Sequence, residues 1–376
     1  MMKELSNPFV IGKYVSKEYF CDREKEAELL VHHIVNGRHV TVMSERRLGK
    51  TGLVEHVFAN GLSDDYETFL IDIYTCKNLR EMVYMLANEV FKKLARKQSL
   101  LERLLRIVRS VKATISYNIV TGEPEVGLAI GDIVQPEITL DEILYCLETS
   151  DKTCVVAVDE FQKIVSFEDD NMEALLRTKI QHLKKTQFVF AGSERHLLEG
   201  IFSDPARPFY NSVVFMQLLP IEKQEYIKFC QRLFSHYKKS VSDALVSRLY
   251  DCFQGVTWYL QLSMNEAFTL AERGGHVGED CYDHILNHLV DSKRFTFEDR
   301  YAALTEKQKT VLLAIAAEYP NSPTLTSQDF IAKYKLKTAS SIQTAVKALT
   351  EKGILNDYHG AKRPIDLLFI LWLKQY

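Results

Sequence analysis

The 376-residue sequence is poor in chain breakers, with 16 glycines and 9 prolines, and 46% of it is hydrophobic; this excludes a collagen-like, low-complexity or broadly disordered chain. It lacks paired cysteines. The seven present (Cys21, Cys76, Cys146, Cys154, Cys230, Cys252, Cys281) include no CxxC spacing, which argues against a zinc knuckle or a secreted disulfide framework and for reduced, mostly buried thiols. It lacks a charge excess: 47 Lys+Arg stand against 50 Asp+Glu, a formal charge of -3, so any surface for a polyanion must be local. Long apolar runs are missing too, since stretches such as VLLAIAA and IDLLFILWL are too short to span a bilayer. The opening MMKELSNPFVIGKYVSKEYF has no apolar signal-peptide core, so no membrane partner and a cytoplasmic location are expected.

What is present has the length of two or three domains. HVTVMS (39–44), FLIDIYT (69–75), TCVVAVDE (153–160), QFVFAGS (187–193) and VVFMQL (213–218) read as short buried strands. Residues 51–60, 78–97, 139–149 and 171–184 have helical length and spacing between them. Strands alternating with helices predict an α/β domain over 1–220 with a mostly parallel sheet, interrupted at about 98–138 by an inserted hairpin carrying ATISYNIV and the turn-like TGEPE. The pattern is then helical over 221–295, with breaks at Gly255 and Gly274–Gly275, and a third part occupies 300–376.

The stretch VMSERRLGKT (42–51) leaves a strand and enters a helix, as a phosphate-binding loop does. Ser44, Glu45, Arg46, Arg47, Leu48, Gly49, Lys50, Thr51 and Gly52 are the candidate loop residues. In such a loop backbone N–H groups wrap phosphates, Gly49 allows close approach, Lys50 reaches the β/γ oxygens and the Thr51 hydroxyl meets Mg2+. Ser44 stands where G-x-x-x-x-G-K-[ST] has its first glycine. The strand VVAVDE ends in two acids: Asp159 suits the Mg2+ shell, and Glu160 suits orienting and deprotonating water, although both could also cap a solvent-facing strand edge. Ser193, at the end of QFVFAGS, reads either as a contact to the γ-phosphate or attacking water, or as a helix N-cap.

Taken in order, these motifs resemble the archaeal-type, STAND-related, AAA-like P-loop ATPases. YFCDREKEAELL (19–30) is similar to that family's F-x-G-R-E-x-E-L box and SERRLGKT to its G-x-R-R-x-G-K-T loop. VVAVDEFQ is similar to its Walker B strand, FAGSERHLL to its G-S sensor strand, GVTWYLQL (255–262) to its G-x-P-x-Y-L lid signature, and LLFILWLKQY to the D-P-L-F-x-x-W-L ending of its winged helix. The resemblance implies a P-loop NTPase core of AAA-like type, a helical lid and a C-terminal winged-helix domain, with ATP and Mg2+ as ligands. It also implies that Phe20 and Arg23 form the adenine side of the pocket, against the plainer reading of a buried ring and an Arg23 ion pair with Glu24 or Glu26. Departures are Cys21 for a glycine, Thr257 for the lid proline, and Asn211 and Ser212 in RPFYNSVVF for the family's G-R pair, so an arginine expected near the γ-phosphate is missing there; Arg207 and Arg195 are candidate substitutes.

Two basic features remain. Residues 301–376 carry ten Lys+Arg and six Asp+Glu, and their helix, helix, turn, helix and wing pattern predicts a winged helix with N-caps at 326–329 and 338–341 and a C-cap at Gly353. Ser340, Ser341, Gln343, Thr344 and Lys347 would then face DNA; a protein-contact role is the other reading. KKLARKQSLLERLLRIVRS (92–110) is a basic amphipathic stretch that reads as a partner surface or as a solvated face packed on its own domain. The functional expectation is an ATP-binding switch or motor, a Mg-dependent ATPase that couples nucleotide state to the winged helix, with DNA, a protein or self-assembly as the partner. The alternative is a nucleotide-gated regulator with little turnover; a small-molecule kinase fits the acid pair and winged helix less well.

Overall fold

The structure, a computed structural model, describes residues 5–12, 14–21, 23–94, 110, 114–117, 124–358 and 361–375. It divides into two compact units, Gly12–Ile221 and a second made of Met1–Ile11 with Glu222–Tyr376.

In the first unit, helix α1 (Glu24–Val35) precedes strand β1 (Val40–Ser44) and helix α2 (Lys50–Asn60). There follow β2 (Tyr66–Asp72), α3 (Leu79–Leu94), β3 (Thr114–Tyr117), β4 (Pro124–Gly127), α4 (Pro136–Glu148) and β5 (Thr153–Asp159). The unit closes with α5 (Met172–Ile180), β6 (Thr186–Gly192), α6 (Arg195–Ser203) and β7 (Val214–Leu218). Five strands form a parallel sheet in the order β2-β5-β6-β1-β7. The apolar runs in the sequence follow from burial of both faces. Cys154, Val156 and Val158 of β5 join Phe188 and Phe190 of β6 in one core, whereas Val155, Ala157, Val189 and Ala191 join Val40 and Val42 in the other, beneath α1 and α2.

Parallel strands without bulges bring their C-terminal ends to one edge, so Ser44, Asp72, Asp159 and Gly192 all finish there, with Asp72 directly opposite Asp159. The expected hairpin is present as the antiparallel pair β3 and β4, with Thr114 opposite Gly127. Its turn, and almost all of the basic stretch at 92–110, lie outside the described residues.

The second unit holds helices α7 (Lys223–His236), α8 (Asp243–Cys252), α9 (Thr257–Leu270) and α10 (Tyr282–Asp291), tied by the two-residue parallel strands β8 (Ser240–Val241) and β9 (His276–Val277). Leu5–Ile11 packs here and not with the α/β part, where the 1–220 reading put it. Phe9 is fully buried among Phe229, Phe234 and Phe268, and two side-chain to backbone hydrogen bonds tie the segment to α9 (Asn7 Nδ2 to the Asn265 carbonyl, 2.9 Å; Asn265 Nδ2 to the Phe9 carbonyl, 2.8 Å). Nothing in the hydrophobic pattern of so short a segment announces its partner.

The same unit ends in α11 (Arg294–Ala302), α12 (Glu306–Glu318), α13 (Gln328–Lys333), α14 (Ala339–Glu351), the antiparallel wing β10 (Leu355–Tyr358) and β11 (Ala361–Pro364), and α15 (Leu367–Leu373). Ser327 and Thr338 cap α13 and α14 through the N–H groups of Phe330 and Ser341, and Gly353 takes φ +68° just past α14. On α14, Ile342, Ala345, Val346 and Leu349 are buried, whereas Ser340, Gln343, Thr344 and Lys347 are exposed and Ser341 is half-buried. The helical and winged parts are joined by Tyr259 on α9. Its hydroxyl donates to Asp366 Oδ1 (3.1 Å) and accepts from the Leu367 N–H (3.0 Å), linking the two motifs GVTWYLQL and DLLFILWL.

His39, which leads into β1, accepts a hydrogen bond at Nδ1 from the Phe188 N–H (3.0 Å), and burial together with the nearby Arg177 charge lowers its pKa to about 4. The folded protein therefore keeps His39 neutral. The resulting stability is complete above the ordinary histidine pKa of about 6.5 and is lost as pH falls toward the folded value. Between pH 7 and pH 5 this one residue should account for roughly 2 kcal/mol of lost stability. His39→Asn, which keeps an acceptor but does not titrate, should show a smaller drop by about that amount in urea unfolding at the two pH values. Equal drops in both proteins would remove His39 as a source of acid sensitivity.

Candidate functional site

The loop between β1 and α2 lies at the C-terminal edge of the sheet. Gly49, the residue before α2, has φ +86°, a conformation that a side chain would strain, and Arg47 also lies in the left-handed region at φ +69°. Ser44 does not: it ends β1 opposite Leu218, is buried, and its hydroxyl donates to the Glu45 carbonyl (2.9 Å). Serine is thus accommodated at the position of the first loop glycine without backbone strain.

The first residues of α2 meet the two acids that end β5. Lys50 is only 7% exposed, and its Nζ lies 3.4 Å from Asp159 Oδ1 and 3.6 Å from Glu160 Oε1. The Thr51 hydroxyl donates to Asp159 Oδ2, and the Ser193 hydroxyl donates to Glu160 Oε2 (3.0 Å). Lys50, Thr51, Asp159, Glu160 and Ser193, which span almost 150 positions of the sequence, therefore form one connected cluster. Ser193 is not a helix cap: α6 begins at Arg195, Glu194 precedes it, and the Ser193 hydroxyl is given to Glu160.

Thr51 and Asp159 offer hydroxyl and carboxylate oxygens, the hard donors that Mg2+ takes together with water and phosphate. The charge balance agrees, because Asp159 and Glu160 flank one lysine and a third acid, Asp72, stands opposite Asp159 in the sheet. The Asp72 pKa is raised from its ordinary value by partial burial and by the nearby Asp159 and Glu160 charges. Among the described residues no group of three or more His, Cys, Asp and Glu is arranged to cage a metal, so protein donors alone would hold such an ion only partly.

Both side chains of the adenine-side reading lie close to the loop and α2, Arg23 beneath the loop and Phe20 beside the helix. The guanidinium of Arg23 is 3% exposed and lies under the loop: NH2 donates to the Leu48 carbonyl (2.9 Å), and NH1 to the Leu219 carbonyl (2.6 Å) and to Glu26 Oε1 (2.9 Å). It pins the peptide just before Gly49 to the end of β7, and Glu26 is the acid of its ion pair. Phe20 packs beside α2, its ring stacked on His56 (centroids 4.5 Å apart, 12° between planes) and edge-on to Tyr14, at ordinary contact distance from where a Gly52 side chain would begin. Burial and the Lys17 charge lower the His56 pKa, which favours a neutral ring in this stack.

Of the remaining loop residues, Leu48 is buried, Arg46 reaches Glu194 Oε1 (3.6 Å) at the surface, and Glu45 and Arg47 line the outer side. The two candidate replacement arginines are engaged by acids. Arg207 forms a forked pair with Glu173, and Arg195 Nε donates to Glu199 Oε1 (2.6 Å). The sequence reading missed Asp72 and Gln162. The first was available as an acid ending FLID just as Asp159 ends VVAVD, and the second as the polar residue in DEFQ; what hid them was the pairing of β2 with β5 and the fold-back after Glu160.

Comparison with known proteins agrees with this architecture. A family described as a probable winged helix domain matches residues 295–375. An uncharacterised ATP-binding protein of Methanocaldococcus jannaschii is 25% identical over 198 residues, covering 49% of this chain and 48% of that protein, so the match spans about half the length of this curated relative. A Walker-type ATPase of Pyrococcus abyssi superposes with a TM-score of 0.63 at 17% identity over 98% of this chain and 99% of the other. The ORC2 protein of Aeropyrum pernix, solved in ADPNP–ADP complexes, does so with a TM-score of 0.58 at 14% identity over 98% and 96%. At these identities the shared property is the fold, a five-stranded parallel α/β core followed by helices and a C-terminal winged helix. Among the described residues no helix is long and apolar enough to cross a membrane.

The Arg23 geometry has a measurable consequence. Arg23→Met leaves two carbonyls and Glu26 without their donor, so the nucleotide-free protein should lose about 2–4 kcal/mol in denaturant unfolding. Arg23→Lys should recover little of it, because an ammonium cannot reproduce the fork. A variant of unchanged stability but weakened nucleotide binding would instead make Arg23 a direct ligand contact.

Proposed function

We propose that this protein binds ATP with Mg2+ at the loop of residues 44–52 and hydrolyses it as a molecular switch that couples nucleotide state to the winged helix. The observation that carries this reading is Lys50 held between two strand-ending carboxylates while Thr51 is joined to Asp159. In the reaction Lys50 leaves the acids for the β/γ oxygens, Glu160 takes a proton from the attacking water, and Ser193 orients Glu160 or that water; Thr51 and Asp159 would hold Mg2+. Mg2+ supplies charge neutralisation on the phosphates. Phe20, with its stacked His56, forms the base side, and Arg23 sets the loop from below. The similarity to a protein named as ATP-binding and to nucleotide-bound ORC2 supports the choice of ATP.

The functional division is a nucleotide-binding part over 12–220, a lid over 221–295 to which 5–11 adds, and a winged helix over 300–376, in a cytoplasmic protein. The exposed face of α14, with Ser340, Gln343, Thr344 and Lys347, is the surface for DNA, supported by the basic balance of 301–376. A second reading, a nucleotide-gated regulator with little turnover, is favoured by Asn211 and Ser212 at the arginine position and by the capture of Arg207 by Glu173. Phosphate release stimulated by a protein partner or a second copy would count against it, because an arginine supplied in trans can restore catalysis.

Titration with a fluorescent ATP analogue and Mg2+, followed by phosphate release with and without duplex DNA, tests the proposal. Lys50→Ala should weaken binding by about a hundred-fold or more, because it removes a charge-assisted contact to phosphate. Glu160→Gln should bind normally and release phosphate about 10²- to 10⁴-fold more slowly. Tight binding with background release under all conditions would leave the gated regulator, and binding indifferent to Lys50 would reject the site.

A further inference from the structure

We infer that the Gln162 carboxamide is a positioning residue that fixes Glu160, reserving one carboxylate oxygen for proton transfer; this rests on Glu160 being the base of the hydrolysis proposed above. Glu160 has φ +55°, a strained conformation for a residue with a side chain, so its position must be imposed by neighbours. Its two oxygens are treated differently. Oε2 accepts from both Gln162 Nε2 and Ser193 Oγ, while Oε1 faces Lys50 Nζ at 3.6 Å. With Oε2 occupied by two donors, the departure of Lys50 toward phosphate exposes Oε1 alone.

Oε1 then takes one proton as the water oxygen bonds to the γ-phosphorus and the bond from that phosphorus to the β–γ bridging oxygen breaks. ADP leaves with the bridging oxygen, and inorganic phosphate carries the new one.

The surroundings of Gln162 show that packing alone does not account for it. The side chain is 2% exposed, and its own Oε1 is buried without a hydrogen-bond partner, a situation that costs about 1–3 kcal/mol and that an apolar residue of the same length would avoid. The amide orientation is dictated by the carboxylate, toward which only the NH2 end can point. Space for the orphaned oxygen comes from Gly192, where an added Cβ would lie 2.1 Å from Gln162 Oε1 and 2.7 Å from Leu198 Cδ1. Ser193, which follows Gly192, supplies the second donor, so the end of β6 provides both the room for Gln162 and its companion.

The test uses the full chain. Gln162→Met keeps the length of the side chain and removes its donor. We expect kcat to fall roughly ten- to hundred-fold, a part of what general-base catalysis contributes, with KM and the affinity for the ATP analogue unchanged. Gly192→Ala should act through the same contact, so the double variant should lose no more than the larger single effect. The crystal structure of Gln162→Met should show the Glu160 carboxylate turned from its place beside Ser193, and that structure also separates the two claims. If the parent has no turnover yet Glu160 turns away in the variant, hydrolysis fails and the positioning role stands. An unmoved Glu160, or an active parent whose kcat is indifferent to Gln162→Met, overturns the inference.

Discussion

The protein depends on the burial of Lys50 between Asp159 and Glu160. A charge so enclosed is tolerable only when paired, and pairing here requires the end of β5 and the start of α2 to meet. Five parallel strands ending at a common edge satisfy that requirement, with β6 lying between β1 and β5. The sheet order thus sets the spacing of the acids from the lysine.

In the proposed function a phosphate ligand would compete with this arrangement. Phosphate oxygens approaching the loop would draw the ammonium away from the same carboxylates that hold it in the free protein, and a divalent cation would take up the negative charge so released. The supports are set for that exchange. Arg23 holds the Leu48 peptide from below, and Ser193 and Gln162 hold Glu160 from the side, so the exchange can proceed without rebuilding either flank.

The second unit is organised by hydroxyl contacts of two buried tyrosines. Tyr259 is buried and uses its hydroxyl as donor and acceptor toward Asp366 and Leu367, and Tyr319 donates to the Cys252 carbonyl (2.9 Å). A buried hydroxyl satisfied as both donor and acceptor joins helices distant in sequence, here through the Asp366 carboxylate that Arg300 also faces. The helical stretch and the winged helix consequently form one packed body, to which Phe9 and its asparagine neighbours add the beginning of the chain.

The strands, most helices, the loop around Gly49–Lys50–Thr51 and the acids of VVAVDE were legible in the sequence, because burial on both faces, helical period and positive-φ glycine leave local marks. The winged helix was legible for the same reason, through its caps at Ser327 and Thr338. Tertiary structure alone decided that Arg23 lies beneath the loop, that Asp72 faces Asp159, that Ser193 and Gln162 converge on one oxygen of Glu160, and that Phe9 belongs to the C-terminal unit. Each of these depends on strand register or on a partner far away in the chain, and a side chain carries no local record of the neighbour that folding will give it.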